Sequence, residues 1–217
     1  MSIDRRIRLK ALLLALLVSA GVPGVQAQRL YDDFVLAVAN DRVGQVRDML
    51  ARGMDPNTVD RNGNPVLLVA ARAGYVDTLQ ALLAARADIN RSNVYGDTAI
   101  KVAALSGHLH VVRLLRERGA ELDPAGWTPL IYAATGGHDD VVRYLLAQGA
   151  KVNAASPNGT TALMMAVREG HPSTAELLLT QGADPNRRNG AGETALSYAE
   201  GNDDRELVQR LRRAGAR

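Results

Sequence analysis

The side chains in this sequence that could bind a metal ion or transfer a proton are four histidines and three pairs of adjacent aspartates. Imidazole is a common zinc ligand, and paired carboxylates can act as general acid and general base. The residues are His108, His110, His138 and His171, with the pairs Asp32-Asp33, Asp139-Asp140 and Asp203-Asp204. Their spacing decides between a chemical site and a structural role.

The spacing of the histidines argues against a metal site. His108, His138 and His171 take the same place in three successive units, each at the start of a predicted helix. Stacked helices lie about 8–10 Å apart, whereas zinc ligands lie about 2 Å from the ion. His110 is two residues from His108 and therefore points to another side of its helix. We expect structural histidines at helix starts and no metal ion.

The aspartate pairs are predicted to be helix caps. Each pair stands where a helix is expected to begin, and a carboxylate there accepts from free N–H groups and interacts favourably with the helix dipole. The sequence also lacks the G-x-S-x-G and H-E-x-x-H motifs and a glycine-rich phosphate loop. We therefore expect no catalytic residues and no cofactor, that is, a protein that is not an enzyme.

The elements that carry these residues repeat along the chain. A glycine precedes a T-x-L-like turn at Gly63, Gly96, Gly126, Gly159 and Gly192, in steps of 33, 30, 33 and 33 residues. The short step falls between Gly119 and Gly126, where one connecting loop lacks three residues. Apolar residues recur at helical spacing in two helices of each unit, as at Val142 and Leu145. No unit can bury these faces alone, so the units are predicted to stack.

Segments such as GWTPLIYAATGGHDDVVRYLLAQGA and GDTAIKVAALSGHLHVVRLLRERGA resemble the ankyrin-repeat family, which has this period. The resemblance implies a mainly α solenoid of turns and helix pairs in a domain spanning 28–217. Its six units would lie near 30–61, 62–94, 95–124, 125–157, 158–190 and 191–217. The family's T-P-L-H motif is present only as far as Thr128-Pro129-Leu130, because another residue replaces its histidine in every unit.

The first 27 residues have the layout of a secretory signal peptide. A basic start, MSIDRRIRLK, precedes the apolar run ALLLALLVSAGVPGV and small residues ending at Ala27. The apolar run is shorter than the ~20 residues that span a bilayer, which favours a cleaved signal over an uncleaved anchor. We expect cleavage after Ala27, a periplasmic or secreted protein, and no membrane association afterwards. General secretion is favoured over twin-arginine export because Arg8 stands where that signal has an aromatic residue.

The charge balance argues against a nucleic-acid partner, although the pI is about 9.4. The chain has 26 basic and 23 acidic residues, and the first 27 residues hold four of the basic and one of the acidic. The remainder therefore carries 22 of each and no formal net charge. Because the basic pI comes largely from the predicted signal peptide, the electrostatic basis for binding nucleic acid is absent.

The resemblance implies a concave binding face made of loop tips and adjoining first helices. The positions picked out on that face are Asn64, Arg72, Tyr95, Asp97, Leu105, Trp127, Thr135, Thr160, Arg168 and Glu169. Tyr95, Trp127 and Arg168 are side-chain types that dominate interface hot spots, although Trp127 could simply cover a neighbouring loop. We expect Tyr95 and Trp127 at equivalent positions, flanking a notch left by the shortened loop.

These features predict an exported bacterial protein, a monomer that binds a partner protein of unknown identity. Two alternatives stay open. One is an immunity-type inhibitor of an exported toxin, which would have one very tight partner. The other is an accessory to a periplasmic enzyme with a latent catalytic site. A convergent acid–base pair in a deep pocket would favour the accessory, whereas a shallow groove would favour binding.

Overall fold

The computed structural model describes residues 24–124 and 126–217. This part of the chain contains twelve helices in six consecutive pairs, and each pair is one unit. The first helices are α1 (Gly24–Ala39), α3 (Val66–Ala73), α5 (Ala99–Leu105), α7 (Pro129–Thr135), α9 (Ala162–Arg168) and α11 (Ala195–Gly201). The second helices are α2 (Val43–Ala51), α4 (Val76–Ala84), α6 (Leu109–Glu117), α8 (Asp139–Ala147), α10 (Pro172–Thr180) and α12 (Arg205–Arg213). The expected mainly α solenoid of about six units is confirmed.

The units stack through two layers of helices. Each first helix packs against the first helices of its neighbours, and the second helices form a less closely packed layer. The first helices approach closely because alanine pairs such as Ala133-Ala134 are fully buried between them. In the second helices the predicted apolar positions, for example Val142 and Leu145, are also fully buried. The apolar core therefore runs through all six units.

The T-x-L turns repeat because each one starts a first helix. The hydroxyls of Thr128 and Thr161 accept from the backbone N–H three residues later, both at 3.3 Å. Thr194 forms a reciprocal capping box with Ser197. Such bonds satisfy N–H groups that have no partner inside the helix. Pro129 also fits here, since the first helical position needs no N–H donor.

His108, His138 and His171 occupy the N-cap positions of α6, α8 and α10, as predicted. They do not cap their own helices. Each Nε2 instead lies within hydrogen-bond distance of a carbonyl oxygen at the end of the preceding unit's first helix. The distances are 3.1 Å to Arg72, 2.9 Å to Leu105 and 3.0 Å to Thr135. The predicted structural role is confirmed, and it consists of a bond between successive units.

Two of the three aspartate pairs lie at helix starts. The Asp204 carboxylate accepts from the N–H of Leu207 at 2.9 Å and so caps α12. In α8, Asp139 and Asp140 form the first turn, where negative charge is favourable. Asp139 also accepts from the hydroxyl of Thr174 in the next unit at 2.5 Å. These carboxylates are therefore engaged in structural bonds.

The capping prediction is wrong for Asp32-Asp33, which lie in the middle of α1. This helix has 16 residues and begins at Gly24, well before the pair, so both carboxylates are past its first turn. Asp32 instead forms an ion pair with Arg61 in the following loop, at 3.0 Å. The Arg61 guanidinium lowers the pKa of Asp32 through this hydrogen bond.

The predicted signal peptide, residues 1–27, lies mostly outside the described residues. Its last four residues, 24–27, form the beginning of α1, where Ala27 is 1% exposed. Cleavage after Ala27 would leave residues 28–39 of this helix in the first unit. Across residues 24–124 and 126–217, no helix has the length and apolar character needed to cross a bilayer.

Side-chain carbonyls hold each loop to the next unit at a repeating position. Asn57, Asn90, Asn153 and Asn186 each accept from a backbone N–H 31 residues later, at 2.7, 3.1, 2.8 and 3.0 Å. Asp123 takes this position in the third unit, and its carboxylate lies 3.4 Å from the backbone nitrogen of Lys151, only 28 residues later. The three missing residues therefore follow Asp123, in the loop that leads into α7.

Candidate functional site

An open pocket of about 290 Å³ lies between the third and fourth units. Its lining residues are Tyr95, Asp97, Leu105, Trp127, Tyr132 and Thr135, and we call it the Trp127 pocket. Five of the six belong to the positions picked out from the sequence, and Tyr132 does not. A signal for Tyr132 was present, because its place in the neighbouring units is held by Val102 and Met165. A tyrosine in an otherwise apolar stripe requires a polar partner for its hydroxyl.

The pocket exists because the loop leading into α7 is short. Elsewhere successive loops touch: the Asn93 amide donates to Asn64 Oδ1 at 3.0 Å, and the Gly190 N–H donates to the Asn158 carbonyl at 2.7 Å. The loop before Trp127 lacks three residues and leaves the preceding loop uncovered. As a result, Tyr95 is 84% exposed.

The aromatic residues of the pocket come from two consecutive loops and from α7. Trp127 and Tyr132 form an edge-to-face pair, with ring centroids 5.9 Å apart and ring planes at 73°. The expectation that Tyr95 and Trp127 hold equivalent positions is wrong, since Tyr95 precedes its turn glycine and Trp127 follows its own. The equivalent of Trp127 in the third unit is Asp97. Tyr95 and Trp127 nevertheless line one pocket, at the shortened loop as expected.

Asp97 is the charged residue among the six that line the pocket in the described structure. Its Oδ1 accepts from the Tyr132 hydroxyl, and its Oδ2 accepts from the Asn93 amide at 3.2 Å. Burial and this hydrogen-bonded carboxylate raise the pKa of Tyr132. The hydroxyl therefore keeps its proton at neutral pH and remains a donor. Both hydrogen-bond donors to the Asp97 carboxylate are neutral groups.

Lys101 holds the Tyr95–Asp97 loop against α5. Its ammonium group donates to the Gly96 carbonyl at 2.9 Å, and the residue is only 4% exposed. Burial lowers the pKa of Lys101, whereas the carboxylates of Asp97 and Glu121 act in the opposite direction. Lys101 stands where the family's T-P-L-H motif has histidine. The replacement residue thus still fixes its turn, through a different bond.

Exposed apolar side chains are concentrated at this pocket. Four large apolar residues are exposed in the described part of the chain. Tyr95 and Leu105, the latter 39% exposed, line the pocket, and Val94 adjoins Tyr95. The fourth, Leu36, lies in α1. A group of exposed apolar side chains is typical of an interaction site.

Four other positions picked out from the sequence lie outside the pocket. Arg72 is exposed in the last turn of α3. Arg168 and Glu169 form an exposed ion pair at the end of α9, at 2.8 Å. The Asn64 side chain is engaged in hydrogen bonds with Asp60 and with the next loop. The structure therefore distributes these residues along the array and does not bring them together at one site.

Thr160 requires a correction, because it is 4% exposed and its side chain is not available to a partner. Here the following loop has its full length and packs over the turn. A Cβ placed on Gly159 would lie 3.1 Å from the carbonyl oxygen of Arg188. Thr160 and Trp127 hold equivalent positions. Trp127 is partly exposed, and the shortened loop is the one that carries it: a Cβ placed on Gly126 would meet no atom of the described residues within 4 Å.

Comparison with known sequences identifies the family to which this chain belongs. A family model described as ankyrin repeats (3 copies) matches residues 34–125, 119–189 and 158–217. The chain belongs to the ankyrin-repeat family. Ankyrin repeats are in general protein–protein interaction scaffolds.

Individual ankyrin-repeat proteins are similar to this chain over part of its length. The chain is 35% identical over 106 residues to the B-cell lymphoma 3 protein homolog of Mus musculus. It is 38% identical over 91 residues to the nuclear factor NF-kappa-B p105 subunit of Rattus norvegicus, and 42% over 67 residues to inversin of Danio rerio. These alignments cover 45%, 41% and 30% of this chain and 24%, 9% and 7% of the relatives. The chain therefore matches less than a quarter of each relative's length.

Proposed function

We propose that this ankyrin-repeat protein is an exported, non-enzymatic scaffold that binds a partner protein through its loop tips and first helices. The Trp127 pocket is the anchor point of this surface. The observation that carries the proposal is the convergence of Tyr95, Leu105 and Trp127 on one open pocket. Aromatic side chains near the centre of an interface supply a large share of the binding free energy.

The surface is large enough for a specific complex. Six units stacked at about 10 Å span about 50 Å, and a standard interface buries about 800 Å² on each partner. On either side of the pocket, the exposed side chains of Arg72 and Arg168 lie at the ends of α3 and α9. A partner anchored at Trp127 would contact several units at once.

Binding is favoured over catalysis by the chemistry of the pocket. Asp97 is its single carboxylate, and the neighbouring Tyr132 has a raised pKa, which makes that hydroxyl a poor general acid at neutral pH. His108, His138 and His171 are engaged with backbone carbonyls of the preceding units. These three histidines therefore hold successive units together.

Export is supported by the first 27 residues, with their basic start, short apolar core and small residues at Ala27. After removal of this segment the chain has no formal net charge, which supports a protein partner over nucleic acid. The sequence contains no cysteine. An exported array of this kind is held together by stacking, hydrogen bonds and ion pairs, without disulfides.

The test is a capture experiment with matched bait variants. The purified protein with its natural sequence, Trp127→Ala, Tyr95→Ala or Leu36→Ala would be immobilised and exposed to a periplasmic extract. Leu36→Ala is the control, because Leu36 is 51% exposed and lies outside the pocket. We expect proteins that are retained by the natural and control baits and lost from both pocket variants. Equal retention by all four folded baits would show that the pocket is not the binding site.

A further inference from the structure

The lining of the Trp127 pocket combines aromatic rings with one negative charge. Tyr95, Trp127 and Tyr132 provide rings with electron-rich faces, and Asp97 provides a carboxylate. Among the six lining residues in the described structure there is no lysine, arginine or histidine. Ring faces and a carboxylate both attract cations. A purely apolar anchor would gain nothing from the carboxylate.

The Asp97 carboxylate retains hydrogen-bonding capacity. Each of its oxygens accepts one bond in the structure, from the Tyr132 hydroxyl and from the Asn93 amide, and a carboxylate oxygen can accept two. The ammonium group of Lys101 donates its hydrogen bond to the Gly96 carbonyl oxygen. Among the described residues it forms no direct ion pair with Asp97. Each oxygen therefore has one free lone pair, and the two oxygens together match the parallel N–H donors of a guanidinium group.

The remaining lining suits the stem of a long cationic side chain. Leu105 is 39% exposed in the pocket, and Thr135 lies beside it in the next unit. Arginine and lysine lay their methylene groups along such surfaces while the charged end stays polar. A planar guanidinium also stacks on aromatic faces, which a compact ammonium does less well. The chain already contains one such contact, with Arg113 Cζ lying 5.3 Å from the centroid of the Tyr144 ring.

The pocket has room for one long side chain. Its volume of about 290 Å³ is at the lower limit of small-molecule sites, which span roughly 300–1,000 Å³. We propose that the Trp127 pocket binds an arginine side chain of the partner protein, with the guanidinium between the aromatic rings and the Asp97 carboxylate. This inference rests on the proposed function and names the partner chemistry that the same site recognises.

The experiment uses three probes with the same capped amino-acid backbone. N-acetyl-arginine amide carries the charge, N-acetyl-citrulline amide has nearly the same shape without it, and N-acetyl-norleucine amide is apolar. Trp127 is the single tryptophan of the chain, so its fluorescence reports binding at the pocket. Each probe would be titrated into the natural protein, Asp97→Asn and Asp48→Asn. The asparagine at position 97 can still accept from Tyr132, and Asp48→Asn makes the same change at an exposed residue of α2, outside the pocket.

We expect saturable binding of the arginine probe, with citrulline about tenfold weaker, which corresponds to about 1.4 kcal/mol. Asp97→Asn should weaken arginine binding by a similar factor, and Asp48→Asn should leave it unchanged. Equal binding of citrulline or norleucine, or an unaltered affinity in Asp97→Asn, would overturn the inference. Absence of binding by all three probes would also overturn it. The proposed function is tested separately by the capture experiment: it is contradicted if the Trp127→Ala bait retains the same proteins as the natural bait.

Discussion

His138 joins the third and fourth units. Its contacts determine how much unfolding free energy the substitution His138→Ala should remove. Its Nε2 lies 2.9 Å from the Leu105 carbonyl oxygen. The imidazole also packs over two glycines. A Cβ placed on Gly107 would lie 2.5 Å from His138 Nδ1, and one placed on Gly136 would lie 2.5 Å from His138 Cδ2. His138→Ala removes both the hydrogen bond and this packing.

The expected loss is about 2 kcal/mol of unfolding free energy. The hydrogen bond accounts for about 1 kcal/mol, and the partly buried ring surface accounts for about 1 kcal/mol more. In a protein of this size, each 1 kcal/mol lowers the thermal midpoint by about 2–4 °C, so we expect a decrease of about 4–8 °C. The matched control is His110→Ala, since His110 is exposed on α6 and should change stability by about 0.5 kcal/mol at most.

Thermal and urea unfolding followed by circular dichroism would measure both variants under identical conditions. A second arm uses Gly107→Ala, which places a methyl group against the His138 ring at a residue with φ of +73°. His138→Ala should relieve the steric part of that loss and leave the backbone strain, so the two changes should be non-additive. If His138→Ala and His110→Ala have the same midpoint, the ring does not link the units and the reasoning fails.

Three further predictions concern the ends of the chain and the pH dependence of stability. Deleting residues 190–217 should lower the thermal midpoint and the solubility, because it exposes the side of α10 around Leu178; an unchanged midpoint and a monomer on size exclusion would contradict the stacking. Stability should fall above pH 10, because an unfolded tyrosine loses its proton there while folded Tyr132, with its raised pKa, keeps it. The loss of unfolding free energy is about 1.4 kcal/mol per pH unit for this group. The urea midpoint should therefore fall less steeply with rising pH in Tyr132→Phe than in the natural protein. Equal slopes would contradict the raised pKa of Tyr132. Intact-mass measurement of protein from a periplasmic fraction should give a chain that begins at Gln28, whereas a full-length chain in the membrane fraction would contradict cleavage.

The architecture could be predicted because it is set by local, repeated requirements. Three features recur in unit after unit: turn glycines at a period of 33 residues, alanine pairs such as Ala133-Ala134, and apolar spacing in the second helices. Each unit therefore provides an independent observation of the same fold. The first helix departs from this rule. α1 spans Gly24–Ala39, so Asp32-Asp33 fall inside it and not at its start.

The candidate site was predictable in its position and less so in its composition. The three-residue gap in the loop period located the pocket, because a missing stretch of loop leaves its neighbour uncovered. Side-chain exposure was harder to predict, since Thr160 is buried, whereas Trp127, at the equivalent position but on the shortened loop, is partly exposed. Tyr132 carries a signal in the sequence, as a tyrosine in an apolar stripe, but the sequence does not show which residue its hydroxyl contacts. Its role depends on Asp97, 35 residues away in sequence, and only the stacking brings the two together.

The central proposal is that the Trp127 pocket anchors a partner protein. The most direct measurement is a calorimetric titration of the captured partner with the natural protein, Trp127→Ala and Leu36→Ala. We expect Trp127→Ala to lose about 2 kcal/mol of binding free energy, or about 30-fold in affinity, while Leu36→Ala binds like the natural protein. Circular dichroism would establish that the variants are folded. An affinity for folded Trp127→Ala equal to that of the natural protein would contradict the proposal.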